Sequence, residues 1–135
     1  MKLNFKNTED MDSIVSFELA KQLKEHGFDK GCYYFYDIDG KIQESYLENG
    51  SSSDTYFRVE SSDLPDNFNS NKGEYSAPTI AQVVMWIYEI RGIWIEASLN
   101  SDDRKFTSMV NCLPINSSCV TPTEAYIDAI IYLLK

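Results

Sequence analysis

The stretch DIDGKIQESYLE, from Asp37 to Glu48, contains carboxylates at part of the spacing of a calcium-binding loop. Asp37, Asp39, Lys41 and Glu48 occupy the first, third, fifth and twelfth positions of an EF-hand-like pattern. The glycine comes at the fourth position instead of the sixth, and a lysine at the fifth position repels a cation. Asp39-Gly40 between two apolar runs is instead typical of a tight hairpin turn. The stretch therefore predicts a turn, and we expect neither a metal site nor a bound cofactor.

Four further side chains have reactive or metal-binding chemistry. Cys32, Cys112 and Cys119 are irregularly spaced and form no C-x-x-C pair, and His26 is the one histidine in the sequence. This pattern matches neither a disulfide framework nor a zinc site. His26 has no serine or cysteine partner at a recognisable nucleophile motif. We therefore expect three reduced cysteines, no catalytic residues and no enzyme activity.

The charge balance limits the classes of partner. The 135 residues include 12 Lys and Arg against 21 Asp and Glu, which gives a net charge of -9. An acidic protein is repelled by phosphate backbones and by anionic membrane surfaces. The N-terminus, MKLNFKNTEDMD, lacks the apolar segment of a secretory signal. We expect no direct DNA binding, no membrane association and a cytoplasmic location.

Three helices are predicted from their capping residues. The expected spans run from Ser16 to Gly27, from Thr79 to Gly92, and from Thr121 to the C-terminus. Each begins after a Ser or Thr that can cap free N–H groups, and the first two end at a glycine.

The second and third helices have stronger signals than the first. Gln82 and Glu124 stand at the capping-box position of their helices, and Pro122 suits a first helical turn. The second helix is expected to be buried on most sides, because it carries a broad apolar stripe. That stripe comprises Ile80, Val83, Val84, Ile87 and Ile90, and Met85 and Trp86 widen it.

Four strands are predicted, in two hairpins. Their sequences are CYYFYD (Cys32–Asp37), KIQESYL (Lys41–Leu47), IWIEASL (Ile93–Leu99) and FTSMVNCL (Phe106–Leu113). The expected fold is one α+β domain over residues 1–135. It has a mainly antiparallel sheet from two hairpins and three helices largely on one face, in the order helix-hairpin-helix-hairpin-helix. A polar connector over about 48–74 is expected to be flexible. It contains a short edge strand at TYFRVE (Thr55–Glu60) and an exposed loop at NFNSNKG.

A tryptophan in the third predicted strand defines the candidate site. Alternation along the strand places Ile93, Ile95, Ala97 and Leu99 on the face covered by helices, and Trp94, Glu96 and Ser98 on the other. Pairing Leu99 with Phe106 sets Trp94 opposite Asn111 and Glu96 opposite Met109. The candidate interaction surface is Trp94, Glu96, Met109 and Asn111. Trp94 either covers a cross-strand neighbour or anchors a contact with another molecule.

Most of the chain resembles a known group of proteins. The stretches that carry the resemblance are SFELAKQLKEHGF (Ser16–Phe28), YYFYDIDGK (Tyr33–Lys41), YSAPTIAQVVMWIYEIRGIWIEA (Tyr75–Ala97) and TPTEAYIDAIIYLLK (Thr121–Lys135). They look like small uncharacterised proteins of phages and prophages in gut anaerobes. This chain departs from the group at Tyr88 and Ile90, where charged residues are more usual. The resemblance implies a mobile-element origin and a cytoplasmic setting, and it transfers no catalytic or binding residue.

Three functional hypotheses follow, and the third, an enzyme, would need a pocket with perturbed carboxylates. The first is a non-catalytic binding module that contacts a protein partner or associates with itself. It is favoured by the large aromatic residues and by the missing catalytic pattern. The alternative is an accessory nucleic-acid-related protein or an acidic mimic in a phage or prophage, which is supported by the net charge of -9.

Overall fold

The computed structural model describes residues 13–44 and 66–135. Within them lie three α-helices and two three-stranded antiparallel sheets, so the predicted α+β class is confirmed. The strands form two sheets instead of a continuous one, and each predicted hairpin gains a third strand. The chain divides into two compact units, which we describe separately. The N-terminal unit is Val15–Pro78, and the C-terminal unit is Thr79–Lys135 with Ser13 and Ile14.

The N-terminal unit opens with helix α1, Phe17–Glu25. Its predicted cap is confirmed, since the Ser16 side chain accepts the N–H of Leu19 at 3.2 Å. At the other end the N–H of Phe28 donates to the carbonyl of Leu23 at 3.0 Å, and the N–H of Gly27 donates to that of Lys24 at 3.1 Å. These two bonds are those of a Schellman motif, which satisfies the last carbonyls of a helix. Both Leu23 and Phe28 are buried, in keeping with the apolar contact that often accompanies this motif.

The sheet of this unit has the order β2-β1-β3, with β1 at Tyr34–Tyr36, β2 at Ile42–Glu44 and β3 at Tyr75–Ser76. The predicted hairpin at Asp39-Gly40 is confirmed, with Tyr36 paired to Ile42. Strand β3 is only two residues long, and it pairs with β1 on the side away from β2.

The predicted connector is described only in part. Residues 48–65, including the strand expected at Thr55–Glu60, lie outside the described residues, as do the last residues of KIQESYL. The exposed loop expected over NFNSNKG contains a buried residue. Phe68 begins a 3-10 turn at Phe68–Ser70, is 6% exposed, and stacks on Phe35 with ring centroids 4.3 Å apart. Because the neighbouring residues are polar, the sequence alone does not indicate that Phe68 is buried.

The C-terminal unit opens with helix α2, Ile80–Arg91. The predicted capping box is confirmed: the N–H of Gln82 donates to the Thr79 hydroxyl at 3.2 Å, and the N–H of Thr79 donates to the Gln82 side chain at 2.9 Å. The expectation that this helix is buried on most sides was wrong. Met85, Tyr88 and Ile90 are all about half exposed.

The second sheet has the order β4-β5-β6, with β4 at Ile95–Leu99, β5 at Phe106–Val110 and β6 at Leu113–Cys119. The expected single strand FTSMVNCL in fact contains a turn. Asn111 and Cys112 both have positive φ, at 50° and 68°, and Val110 pairs with Leu113 directly across them. Two successive left-handed residues are typical of a type I′ hairpin, which reverses the chain within two residues.

Helix α3, Pro122–Leu134, packs on one face of this sheet. The Ser108 hydroxyl donates to the Ala125 carbonyl at 2.6 Å, so small residues let the helix approach β5 closely. Thr121 caps the helix by accepting the N–H of Glu124 at 3.1 Å. The Glu124 carboxylate accepts the N–H of Val120 instead of that of the cap residue, so the predicted box is shifted by one residue.

Candidate functional site

Trp94 stands immediately before β4, at the end of the sheet where β5 turns into β6. Its N–H donates to the side-chain oxygen of Asn111 at 2.8 Å, and the N–H of Asn111 donates to the Trp94 carbonyl at 2.8 Å. The sequence-based pairing of these two residues is confirmed. The adjoining pairs Glu96 with Met109 and Leu99 with Phe106 also have the predicted register.

The aromatic neighbour of Trp94 comes from the helix before it. The rings of Tyr88 and Trp94 meet edge to face, with centroids 5.5 Å apart and planes at 87°. This arrangement is favourable for aromatic pairs because the positive edge of one ring meets the negative face of the other. Only strand neighbours of Trp94 were predicted from the sequence, and this contact with a helix residue was missed.

The pair belongs to a larger exposed apolar surface. Trp94 is 44% exposed, Tyr88 48% and Met85 46%. Met85 lies three residues before Tyr88 on α2 and so shares its side of the helix. We call Met85, Tyr88 and Trp94 the Trp94 surface. Sequence reasoning missed Met85 and Tyr88 because an apolar residue on a helix reads as core unless the surrounding packing is known.

The predicted division of β4 into two faces holds at its start and fails at its end. Ile95 is buried and Ala97 partly buried on the side of α3, as expected. Leu99 belongs to the same face but is 61% exposed. Of the four predicted site residues, Trp94 and Asn111 are in direct contact. Glu96 and Met109 form the next pair on the same face of the sheet, both half-buried.

Two charged residues near the Trp94 surface differ in whether their side chains already have a bonding partner. Arg91, in the last turn of α2, donates to the Leu133 carbonyl at 3.1 Å. Glu96 makes no ion pair with any residue in the described ranges. The carboxylate beside Met109 is therefore available to a cationic or hydroxyl group on another molecule.

Two of the three cysteines, Cys32 and Cys119, are poorly suited to nucleophilic chemistry at neutral pH. Burial raises the pKa of the Cys32 thiol to about 12 and that of the Cys119 thiol to about 11. Cys119 donates to the Asp128 carboxylate at 3.4 Å, and Asn116 donates to the same oxygen at 2.7 Å. Since the thiolate is the reactive form, both buried thiols are held unreactive. The third thiol, Cys112, lies exposed in the β5–β6 turn.

The calcium-like stretch uses its first carboxylate within its own turn. Asp37 accepts the N–H of Asp39 at 2.9 Å and that of Lys41 at 3.0 Å, and its second oxygen accepts the Gln43 amide at 3.1 Å. The hydrogen bond from the Lys41 backbone is the main cause that lowers the pKa of Asp37. Glu48 lies outside the described residues. Within residues 13–44 and 66–135, no three His, Cys, Asp or Glu side chains are grouped to hold a metal ion.

A cavity of about 460 Å³ lies against the β1–β2 hairpin of the N-terminal unit. The described residues that line it are Tyr34, Ile42, Gln43 and Glu44.

Comparisons with protein-family models, curated proteins and solved structures give no match. None of the helices in the described part of the chain has the length and apolar character needed to cross a membrane.

Proposed function

We propose that this protein is a non-catalytic binding module that contacts a protein partner through the Trp94 surface. The observation that supports it is the half-exposed Tyr88–Trp94 pair, in which the Trp94 backbone is held at the sheet end by two hydrogen bonds with Asn111, one of them to its side chain. Tryptophan and tyrosine dominate binding energy at protein interfaces because they bury large areas at small entropic cost. A cytoplasmic location and a phage or prophage origin belong to the same proposal, and the origin is supported by the sequence resemblance.

Positional rigidity is the second support. An exposed aromatic side chain on a mobile loop would lose conformational freedom on binding, which weakens association. Here the backbone of Trp94 is fixed by Asn111 and its ring is fixed by Tyr88. Glu96 and Met109 extend the surface along the sheet with one charged and one adaptable apolar group.

The test is Trp94→Ala, with Tyr132→Ala as the matched control. Tyr132 is a similarly exposed aromatic residue, 51% exposed, on α3. Immobilised wild type and both variants are compared for captured proteins from host lysate, with and without nuclease, alongside their thermal midpoints. We expect Trp94→Ala to lose a captured protein that the control retains, at a stability cost below about 3 kcal/mol, the lower limit for truncating a fully buried Trp.

Two outcomes would contradict the proposal. A larger loss of stability would place Trp94 in the core. If the captured proteins are lost on nuclease treatment but retained by Trp94→Ala, the alternative, an accessory nucleic-acid-related role, would be favoured instead.

A further inference from the structure

The two edges of the β4-β5-β6 sheet differ in how they are protected against pairing with another strand. Edge strand β6 contains Pro114, which has no N–H, and its pairing with β5 is irregular on both sides of Ser108. Proline and irregular pairing are the usual means of blocking a sheet edge. Edge strand β4 has neither: its register with β5 is continuous from Ile95 to Leu99, and it contains no proline or lysine.

The hydrogen-bond pattern shows which groups of β4 point outward. Asn100 donates its N–H to Lys105 at 2.7 Å, and Trp94 accepts the N–H of Asn111 at 2.8 Å, so both residues direct their backbone groups toward β5. Alternation along an antiparallel strand then directs the N–H and C=O groups of Ile95, Ala97 and Leu99 away from β5. Within residues 13–44 and 66–135, these outward groups have no hydrogen-bond partner.

We propose that β4 pairs antiparallel with β4 of a second copy of this chain, about a two-fold axis at Ala97. This inference goes beyond the proposed function, because its interface is the outer edge of β4 and not the Trp94 surface, and its partner is a second copy of this chain. In this register Ala97 faces Ala97, and Ile95 faces Leu99 in both directions. All three are outward-directed positions, so each pair exchanges two hydrogen bonds, or about six in total. The edge is therefore complementary to itself, as a two-fold interface requires.

The side chains fit the same register. Glu96 faces Ser98 of the second copy, so the carboxylate meets a hydroxyl donor instead of another carboxylate. A register centred on Glu96 would also pair outward-directed backbone groups, Ile95 with Ala97, but it would place two like charges directly opposite each other, which is destabilising. The pairing also sets Leu99, the most exposed apolar side chain of β4, beside the buried Ile95 of the second copy.

A five-residue edge is shorter than the contact of a tight dimer, so we expect concentration-dependent association that strengthens with salt. The salt effect follows because each copy carries a net charge of -9.

The experiment is sedimentation equilibrium of the full chain and two variants of Leu99. Leu99→Pro removes an outward N–H without touching the β4–β5 ladder, and Leu99→Ala keeps that N–H while removing the side chain. We expect Leu99→Pro to weaken the dimer at least about tenfold, since two hydrogen bonds are lost per dimer, and Leu99→Ala to weaken it less. Thermal midpoints identify a variant that fails to fold.

Ser98 provides a test of the register that spares the backbone. Ser98→Glu places like charges opposite Glu96 and is expected to weaken the dimer, and Ser98→Lys places opposite charges there and is expected to strengthen it. A wild-type protein that stays monomeric at millimolar concentration overturns the inference, while binding of a different protein at the Trp94 surface would stand. The inference is also overturned if the dimer forms equally well in Leu99→Pro, Ser98→Glu, Ser98→Lys and the wild type.

Discussion

The backbone N–H of Trp94 donates to the side-chain oxygen of Asn111, and the backbone N–H of Asn111 donates to the carbonyl of Trp94, both at 2.8 Å. Asn111 thus has two roles: it is a turn residue with a φ of 50°, and its side chain fixes the residue before the start of β4. Asparagine suits both roles, because it tolerates the left-handed region and carries an amide oxygen.

Two substitutions at Asn111 separate these roles. Asn111→Gly keeps the left-handed backbone accessible but removes the acceptor of the Trp94 N–H, at an expected cost of about 0.5–1.5 kcal/mol. Asn111→Ala removes the same acceptor and adds strain of about 1–2 kcal/mol at positive φ. Urea denaturation should therefore rank the wild type above Asn111→Gly, and Asn111→Ala lowest. Equal stability of the two variants would show that the turn geometry contributes nothing.

The glycine of the Asp39-Gly40 turn is predicted to be more sensitive than the one after α1. Both have similar positive φ, 84° for Gly40 and 88° for Gly27. A Cβ at Gly40 would lie 2.9 Å from the ring of Phe17, whereas a Cβ at Gly27 meets nothing within 4 Å. Gly27→Ala should cost about 1–2 kcal/mol of strain. Gly40→Ala should cost more, measured by thermal unfolding, and the excess should shrink in a Phe17→Ala background that removes the clash.

Asn69 is predicted to stabilise the N-terminal unit more than its neighbour Asn71. The Asn69 side chain accepts the N–H of Ser76 at 2.8 Å and donates to the Phe28 carbonyl at 2.9 Å. Ser76 is fully buried, so Asn69→Ala leaves its N–H unsatisfied at a cost of about 1–3 kcal/mol. The Asn71 amide makes an exposed bond to the Glu74 carboxylate, and Asn71→Ala should change the urea midpoint little. Similar losses for the two variants would contradict this difference.

The elements that could be predicted from the sequence are those fixed by neighbouring residues. Ser16, Thr79 and Thr121 cap their helices as expected, because a cap depends on groups within about one turn of the chain. The Asp39-Gly40 turn and the register of β4 with β5 follow from the same local information.

The features that escaped prediction depend on distant residues or on unusual turn chemistry. Strand β3 is two residues long and is defined only by pairing with β1, far away in the chain. The turn at Asn111-Cys112 lacks the glycine that usually marks a type I′ turn, so one strand was expected where the structure has two. The contact of Trp94 with Tyr88 depends on how the chain turns after Gly92, which periodicity does not specify.

The buried thiols predict a loss of stability at alkaline pH. Burial raises the pKa of Cys32 to about 12 and that of Cys119 to about 11, whereas the unfolded chain ionises both thiols near the ordinary value of 9.0. Above about pH 9 the unfolded state therefore holds fewer protons than the folded state, and the free energy of unfolding falls as pH rises toward the folded pKa values. Burial raises the pKa of Tyr36 as well, which acts in the same direction.

Urea denaturation at about pH 8 and about pH 10.5 should show this fall in the free energy of unfolding. It should be smaller in the double variant Cys32→Ala/Cys119→Ala, even though that variant is less stable at pH 8, and unchanged in Cys112→Ala, which removes the exposed thiol. An identical fall in the double variant and the wild type would mean that the two buried thiols do not cause it.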